Sequence, residues 1–176
     1  LPGVTAGEGY DQILFASGGT APYTFVISSG SLPPGMDLLP QGRLIGTPRQ
    51  TGFFSFAVQA TDANSVAGDR PYTLTVATPT IVLPATTLTD GTNGASYFAT
   101  LNGASGGNAP YSYYFYGGAL PTGLFLNGNG TLTGTPSESG DFSFSVIATD
   151  STSGTGPFYS TPRIYNLRVI GGARPQ

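Results

Sequence analysis

The sequence predicts an all-β chain that folds into two tandem β-sandwich domains, and three observations lead to that prediction. Short motifs recur 88 residues apart in a chain of 176 residues, so the second half repeats the first. Apolar residues alternate with polar ones in several segments of each half, as expected for strands that bury one face. The 27 glycines and 15 prolines interrupt these segments about every 8 to 12 residues, the turn spacing of antiparallel sandwiches.

The repeat rests on five pairs of motifs that keep one spacing. They are Ala21-Pro22-Tyr23 with Ala109-Pro110-Tyr111, Leu32-Pro33-Pro34-Gly35 with Leu120-Pro121-Thr122-Gly123, Gly46-Thr47-Pro48 with Gly134-Thr135-Pro136, Phe54-Ser55-Phe56 with Phe142-Ser143-Phe144, and Ala60-Thr61-Asp62 with Ala148-Thr149-Asp150. Because five motifs share this spacing, they indicate two homologous domains. We assign residues 1–77 to domain 1, residues 78–171 to domain 2 and residues 172–176 to a tail.

Alternation places the strands along each domain in order. In domain 1 the alternating apolar residues are Ile13 and Phe15, then Tyr23, Phe25 and Ile27, then Phe54, Phe56, Val58 and Ala60, and finally Tyr72, Leu74 and Val76. In domain 2 they are Tyr111, Tyr113 and Phe115, then Phe142, Phe144, Val146 and Ala148, and finally Tyr165, Leu167 and Val169. Leu44 and Leu132 are assigned to short strands that lead into the Gly-Thr-Pro turns. Since no segment shows a helical period with caps, each domain is predicted to be an Ig-like sandwich of about seven strands.

The starts of the two domains differ. Leu1-Pro2 aligns best with Leu83-Pro84, which places extra residues in domain 2 around Thr89 to Asn93. The segment Thr80-Ile81-Val82 precedes this motif in domain 2, and nothing matches it in domain 1. We therefore expect domain 1 to lack its opening strand. Either the sequence is a fragment cut at this point, or a strand from a neighbouring chain fills the open edge by β-augmentation and exchange.

The composition excludes several kinds of chemistry. Cysteine, histidine, tryptophan and lysine are absent, and only 9% of the residues are charged. This excludes disulfides, Cys/His zinc sites and catalysis by a thiol, a lysine or a histidine. A net charge of −3 provides no basic surface for nucleic acid, and no apolar run approaches the roughly 20 residues that span a bilayer. We predict a protein that is not an enzyme, binds no nucleic acid and does not insert into a membrane.

Domain 2 carries a longer pattern from Pro110-Tyr111 to Val169. After Pro-Tyr it reads Leu-Pro-x-Gly-Leu-x-Leu, Gly-x-Leu-x-Gly-Thr-Pro, Gly-x-Phe-x-Phe-x-Val-x-Ala-Thr-Asp and Tyr-x-Leu-x-Val. Domain 1 departs from it mildly, with Met36 in place of a leucine. The pattern resembles the Putative Ig domains of bacterial surface proteins, which are similar to the cadherin-like domains of dystroglycan. The resemblance covers almost the whole chain and implies two tandem Ig-like, cadherin-like β-sandwiches.

The same resemblance implies a role. It points to a non-catalytic structural or adhesion module of a larger extracellular, bacterial surface protein. The implied partners are other domains of the same polypeptide and a protein or glycan of the host or cell surface. Two alternatives are a carbohydrate-binding module and a calcium-stiffened, cadherin-like adhesin.

The acidic residues allow two interpretations. Asp62 and Asp150 end a strand before a loop rich in glycine and serine, where a carboxylate can accept backbone N–H groups in an Asx-type turn. Alternatively, because cadherin-like modules place acids at domain junctions, they could bind calcium, which takes six to eight oxygens. The candidate ligands are Glu8, Asp62, Asn64 and Asp69 in domain 1, and Asp90, Asp150 and Asp141 in domain 2. The linker at residues 75–80 contains no acid, so the cadherin linker motifs are absent, and we expect no cofactor other than this calcium.

An aromatic run at residues 113–116 occurs in domain 2 only. Alternation puts Tyr114 and Tyr116 on the face opposite Tyr113 and Phe115, so one pair is expected in the core. The other pair, if exposed, could stack on sugar rings or anchor a partner. The alternative is cross-strand aromatic packing within the sheet. We take Tyr114 and Tyr116 as the candidate ligand-binding residues.

Overall fold

The computed structural model of the protein describes residues 1–172, and all regular secondary structure in this range is β-strand. The all-β prediction is confirmed. Residues 173–176, which belong to the predicted tail, lie outside the described residues. Contacts between residues divide the chain into two compact units, the first formed by Leu1–Pro79 with the short segments Gly107–Ala109 and Ser151–Pro157. The second unit begins at Thr80 and contains the other described residues.

Domain 1 contains seven strands in two sheets. They are β1 (Val4–Thr5), β2 (Tyr10–Ile13), β3 (Thr24–Gly30), β4 (Met36–Leu38), β5 (Arg43–Gly46), β6 (Gly52–Thr61) and β7 (Ala67–Ala77). One sheet has the order β1-β7-β6-β3 and the other the order β2-β5-β4. All pairs are antiparallel except that β1 runs parallel to β7. Both sheets contribute buried side chains to one core, so the domain is a sandwich.

Domain 2 repeats this arrangement. Its strands are β8 (Gly91–Thr92), β9 (Tyr97–Thr100), β10 (Ser112–Gly118), β11 (Leu124–Leu126), β12 (Thr131–Gly134), β13 (Gly140–Thr149) and β14 (Arg163–Ile170). The sheets have the orders β10-β13-β14-β8 and β11-β12-β9, and β8 runs parallel to β14. Each strand therefore has the same neighbours as its counterpart in domain 1, which confirms the repeat at the level of the fold.

The predicted inward face of the central strand is confirmed in both domains. Phe56 and Val58 of β6 are buried, and Phe144 and Val146 of β13 are buried at the matching positions. The aromatic rings continue the match across the sheet, since Phe56 stacks on Tyr72 at 6.1 Å and Phe144 on Tyr165 at 5.8 Å between ring centroids. Each core is thus built around one phenylalanine of the central strand and one tyrosine of its neighbour.

The glycines of the repeat motifs allow two turns to pack closely. Gly35 has φ +90°, and a Cβ there would lie 2.2 Å from the carbonyl oxygen of Thr47. The N–H of Thr47 in turn donates to the carbonyl of Gly35 at 2.9 Å. A side chain at position 35 would separate the Leu-Pro-Pro-Gly turn from the Gly-Thr-Pro turn, which is why the motif requires glycine there.

The prediction for Ile13 and Phe15 has the wrong phase. Ile13 is the last residue of β2 and is exposed, and Phe15 lies beyond the strand and is also exposed. The buried residues of this region are Tyr10 and Leu14. Alternation of period two continues from Tyr10 through Ala16, with the even-numbered residues inward and the odd-numbered residues outward. Ile13 and Phe15 are therefore apolar residues on the outer face, and their apolar character alone predicted the wrong phase.

The alignment of the two starts is also wrong. Val4 pairs with Val76 as Gly91 pairs with Val169, which sets the two starts 87 residues apart. The hydroxyl of Tyr10 donates to the carbonyl of Pro2, and the hydroxyl of Tyr97 donates to that of Thr89, with the same spacing. Leu1-Pro2 therefore corresponds to residues 88–89 and not to Leu83-Pro84. The additional residues of domain 2 lie before this point, at residues 80–87, and not at Thr89 to Asn93.

Candidate functional site

Three consecutive aromatic side chains are exposed on β10, an edge strand of domain 2. Tyr113 is buried, and its hydroxyl accepts the N–H groups of Gly103 and Ala104 at 3.1 Å. The exposed fractions of Tyr114 and Tyr116 are 51% and 63%. The face predicted for these two tyrosines is therefore the outer one.

Phe115 departs from the prediction that it shares the core face of Tyr113. Its side chain is 46% exposed. A β-bulge follows it, because Phe115 pairs with Val146 whereas Gly117 pairs with Ser145, which leaves Tyr116 without a cross-strand partner. The same bulge follows the counterpart Ile27 in domain 1, where Ile27 is partly buried against the core, so the bulge by itself does not account for the exposure of Phe115. The surface formed by residues 114–116 is called the β10 aromatic surface below.

A second exposed aromatic pair was missed by the sequence analysis. Phe98 of β9 and Phe125 of β11 are both exposed, and each pairs with Thr133 of β12, which lies between them. Domain 1 has Asp11 and Asp37 at the matching positions of β2 and β4. Comparing the two repeats position by position predicts that both phenylalanines face outward, because an aspartate at the matching position of the other repeat indicates an outward position in both.

Asp62 forms the Asx-type turn that was one of its two interpretations. Its carboxylate accepts the N–H groups of Thr20, Asn64 and Val66 at 2.9, 2.9 and 2.8 Å. These hydrogen bonds, that from Thr20 having the largest effect, hold the pKa of the Asp62 carboxyl below its ordinary value. The side chain of Asn64 donates to the hydroxyl of Thr20 at 2.9 Å and closes the same turn. The geometry at Asp62 favours the turn interpretation.

The other candidate calcium ligands are spread over the two domains. Asp150 is buried and accepts the N–H of Phe158 at 2.8 Å. The exposed acids are Glu8, Asp69, Asp90 and Asp141. Across residues 1–172, no group of three or more Asp, Glu, His or Cys side chains is arranged to hold a metal ion. Calcium binding by Glu8, Asp62, Asn64, Asp69, Asp90 and Asp150 stays an untested alternative to the turn interpretation.

Domain 1 also has an open groove of about 400 Å³. Residues 15–19 line one side and residues 66–70 of the β7 region line the other. Its floor consists of side chains of β3, β6 and β7, namely Phe25, Val58, Ala60 and Tyr72. We call it the domain 1 groove.

The matching position in domain 2 is filled by residues 80–84. Val82 donates its N–H to the carbonyl of Ser105 at 2.9 Å and accepts the N–H of Ser105 at 3.0 Å. Ile81 and Leu83, on either side of Val82, are 4% and 5% exposed and belong to the core of domain 2. Ser105 lies in the sequence Ala-Ser-Gly-Gly, which recurs at residues 16–19 along the domain 1 groove. The expectation that domain 1 lacks a counterpart of Thr80-Ile81-Val82 stays a prediction.

The chain is similar in structure to fragments of cadherin ectodomains. Drosophila N-cadherin EC1-4 is 13% identical with a TM-score of 0.40, over 98% of this chain and 48% of that chain. Domains 3–6 of the protocadherin gamma B2 ectodomain are 15% identical with a TM-score of 0.39, over 85% and 44%. Human mucin-like protocadherin EC1-2 is 10% identical with a TM-score of 0.39, over 97% and 95%. The chain spans less than half the length of the first two fragments.

Comparison of sequences identifies the family. No curated protein matches the chain. Between residues 1 and 172, no helix has the length and apolar character needed to cross a membrane. A model of the family described as Putative Ig domain matches residues 1–77 and again residues 79–170. The resemblance seen in the motifs is confirmed, and the chain belongs to the Putative Ig domain family, of which it carries two copies in tandem.

Proposed function

We propose that the chain is a non-catalytic structural and adhesion module of a larger protein on the bacterial cell surface, where its domains act as a stalk or contact region. Ig-like domains in tandem imply a structural or adhesion module of the extracellular type. The role as a stalk is supported by one observation above all: in each domain, the first and last strands are parallel neighbours.

Parallel pairing of these strands determines how a domain responds to pulling. In domain 2 residues 80–84 precede β8 and are held by the pairing of Val82 with Ser105; once this pairing opens, the chain is held at the start of β8 and at the end of β14. A force applied between these two points pulls the strands past each other, so it loads the hydrogen bonds between them together instead of one after another. The pairing extends beyond the strands, since Asn93 donates its N–H to the carbonyl of Ile170 at 2.9 Å. Ala6 does the same to Ala77 in domain 1 at 3.1 Å.

Single-molecule force spectroscopy on the full chain, pulled from its two ends, tests the stalk. We expect two separate unfolding events, one for each domain. The variant Asn93→Pro removes the N–H that bonds Ile170 and should lower the unfolding force of domain 2 alone. Asn93→Ala is the matched control, because it keeps the N–H and loses only the contact of the side chain with Ser139. Equal unfolding forces for Asn93→Pro and the wild-type chain would contradict the mechanical role.

The location is tested separately. Antibodies raised against this chain should stain intact cells of the source organism without permeabilisation. Staining that requires permeabilised cells would contradict a surface location. It would leave the force measurement unaffected, so the two parts of the proposal can fail independently.

A carbohydrate-binding role is a second candidate, and the β10 aromatic surface supports it. Three neighbouring aromatic side chains that are about half exposed offer ring faces on which a sugar could stack. A glycan array probed with the chain and with the double variant Tyr114→Ala/Tyr116→Ala tests this role. The double variant should lose binding and keep its thermal melt, whereas Phe98→Ala/Phe125→Ala on the other sheet should bind normally. Equal binding by both double variants would exclude the β10 aromatic surface as the sugar site.

A further inference from the structure

We propose that Asn127 is a self-modifying site, at which the backbone nitrogen of Gly128 attacks the side-chain amide and converts the residue to aspartate or isoaspartate without an enzyme. The pair Asn-Gly suits this reaction, because glycine has no side chain to shield its nitrogen. The chain contains four such pairs, all in domain 2, and they begin at Asn93, Asn102, Asn127 and Asn129. The structure distinguishes the pair at Asn127 from the other three.

The backbone nitrogen of the glycine is the attacking atom, and in three of the pairs its N–H is held by a hydrogen bond. Gly94 donates to the carbonyl of Pro136 at 2.8 Å, and Gly103 donates to the hydroxyl of Tyr113 at 3.1 Å. Gly130 donates at 2.9 Å to the carbonyl of the residue three positions earlier. Each of these hydrogen bonds must break before the nitrogen can turn towards the preceding side chain, so the three pairs are protected.

The pair at Asn127 lacks this protection. The N–H of Gly128 has no hydrogen-bond partner among residues 1–172, and both Asn127 and Gly128 are exposed. They begin the β-turn between β11 and β12, in which the N–H of Gly130 bonds the carbonyl of Asn127. Gly128 is the second residue of this turn, a position whose N–H takes no part in the hydrogen bond that closes it.

Domain 1 shows that the fold does not need this N–H. The equivalent turn begins at Leu39, and the counterpart of Gly128 is Pro40, which has no N–H. The carbonyl groups have the same role in both turns, since that of Pro40 accepts the N–H of Phe25 at 3.0 Å and that of Gly128 accepts the N–H of Tyr113 at 2.9 Å. The turn is therefore held through its carbonyl groups, and the nitrogen of Gly128 is left free to react.

The reaction needs only water and a base from the solvent. The base takes the proton of the Gly128 N–H, and the nitrogen forms a bond to Cγ of Asn127. The bond between Cγ and Nδ2 breaks, and Nδ2 leaves as ammonia, so that a five-membered cyclic imide remains. Water then opens the imide at one of two bonds. Cleavage between the nitrogen and Cγ gives aspartate, whereas cleavage between the nitrogen and the backbone carbonyl carbon gives isoaspartate, in which the main chain is one atom longer.

The group that leaves also holds the turn to β12. Nδ2 of Asn127 donates to the carbonyl of Thr131 at 3.2 Å and to the hydroxyls of Thr131 and Thr133 at 2.9 and 3.1 Å. These hydrogen bonds break when Nδ2 leaves, and a carboxylate has no hydrogen to donate to the carbonyl of Thr131. Conversion therefore replaces an attraction by a repulsion at the end of β11 and should weaken the pairing of β11 with β12.

Mass spectrometry of the aged chain tests the proposal. The full chain is incubated in mildly alkaline buffer and digested with pepsin, and the gain in mass from replacing NH₂ by OH is located by fragmentation. We expect Asn127 to react about tenfold faster than Asn93, Asn102 and Asn129, the factor that one protecting hydrogen bond of ordinary strength supplies. The rate should rise with pH, because a base takes the proton of the attacking nitrogen.

Two controls separate the effect of the fold from that of the local sequence. The variant Gly128→Pro copies the turn of domain 1 and should keep the thermal melt of the wild-type chain, but it has no N–H to react, so Asn127 should stay unmodified. In the wild-type chain unfolded by urea, all four pairs should react at similar rates, since each asparagine is followed by glycine and no hydrogen bond protects it.

A further variant reproduces the product. Asn127→Asp should lower the melting temperature of domain 2 by an amount that Gly128→Pro does not, because only the first variant removes the donor to the carbonyl of Thr131. A melt of Asn127→Asp equal to that of the wild-type chain would contradict the weakened pairing of β11 with β12.

Three results would overturn the assignment of the reactive site. The first is a rate at Asn127 no higher than at the three protected pairs. The second is deamidation of Asn127 in Gly128→Pro at the rate of the wild-type chain. The third is a preference for Asn127 that persists in urea, because the local sequence and not the fold would then select this residue. None of these results depends on a surface location or on mechanical load, so the inference can fail independently of the proposed function.

Discussion

The two domains share a fold but differ in how one sheet edge is completed. Domain 2 covers its core with residues 80–84, whereas domain 1 leaves the matching groove open and its Tyr72 partly exposed. The domains also differ on the outer face of the smaller sheet, where Phe98 and Phe125 replace Asp11 and Asp37. The two domains therefore share their strand order and core positions, whereas their sheet edges and outer faces differ. Each domain can therefore serve as the control for the other.

The largest expected effect is on the core that both domains share. Phe144→Ala should reduce the free energy of unfolding of domain 2 by about 3–5 kcal/mol, because it empties the site that packs against Tyr165. Phe56→Ala should act similarly on domain 1, with a cost nearer the lower end, since the partly exposed Tyr72 beside it leaves the site easier to relax. Urea unfolding followed by NMR signals of each domain measures both values. Phe53→Ala, at an exposed position, is the control and should cost little. A small loss in Phe144→Ala would contradict the assignment of the core.

The second-largest effect on stability is expected at Gly106 and its counterpart Gly18. Gly106→Asn should destabilise domain 2 by about 1–3 kcal/mol, because the new Cβ displaces Thr80 and overpacks the filled edge. Gly18→Asn should cost domain 1 much less, since the conformational strain is the same in both but nothing lies within 4 Å of the added atom. The same domain-resolved unfolding experiment measures the difference. Equal losses of stability in the two variants would show that backbone strain alone causes them. The packing around Gly106 and Gly18 would then not differ in its effect.

A smaller effect concerns pH. Three backbone N–H groups stabilise the ionised carboxylate of Asp62 and lower its pKa below the ordinary value of 3.8. A carboxyl whose pKa is lowered by folding contributes stability above its unfolded pKa, and that contribution is lost as the pH falls through its folded pKa. The melting temperature of domain 1 should therefore decline below about pH 4. Asp62→Asn, which keeps an acceptor oxygen but cannot ionise, should reduce this decline, and an identical pH profile would refute the role of Asp62.

The smallest expected effect is that of calcium. Since the oxygens of Asp62 already accept three backbone N–H groups, we expect the thermal melt of the full chain to be the same in EDTA and in millimolar calcium. Selective binding to the folded state at 100 times the dissociation constant would add about 2.7 kcal/mol and raise the melt by several degrees. A rise of that size that is lost in Asp62→Asn would establish the calcium-stiffened adhesin instead.

Much of the fold could be predicted from the sequence, because the relevant signals are local or repeated. The inward positions of β6 and β13 follow from alternation, and the turns follow from glycine and proline at fixed places. The errors lie where an apolar residue occupies an outward position. Ile13, Phe15 and Phe115 are apolar but exposed, so their apolar character predicted an inward position that the structure does not show. Hydrophobic residues alone do not report which face of a strand is covered.

The candidate sites were less predictable for a related reason. Tyr114 and Tyr116 were found because the aromatic run is local, whereas Phe98 and Phe125 lie on separate strands and meet only across β12. The alignment of the two starts could not be predicted from the sequence. Leu1-Pro2 can be aligned either with Leu83-Pro84 or with residues 88–89. The pairing of β1 with β7, compared with that of β8 with β14, identifies the second alignment.

The sequence by itself determined that this protein has two Ig-like domains, where their central strands lie and which faces of those strands form the cores. These properties depend on residues close together in the chain and on a motif that occurs twice. Only the tertiary structure decided what covers this sheet edge in domain 2 and how the starts of the two domains correspond. The pairing of Val82 with Ser105 joins segments more than 20 residues apart, and the pairing of Val4 with Val76 joins the two ends of domain 1. A hydrogen bond between distant segments leaves no local pattern in the sequence.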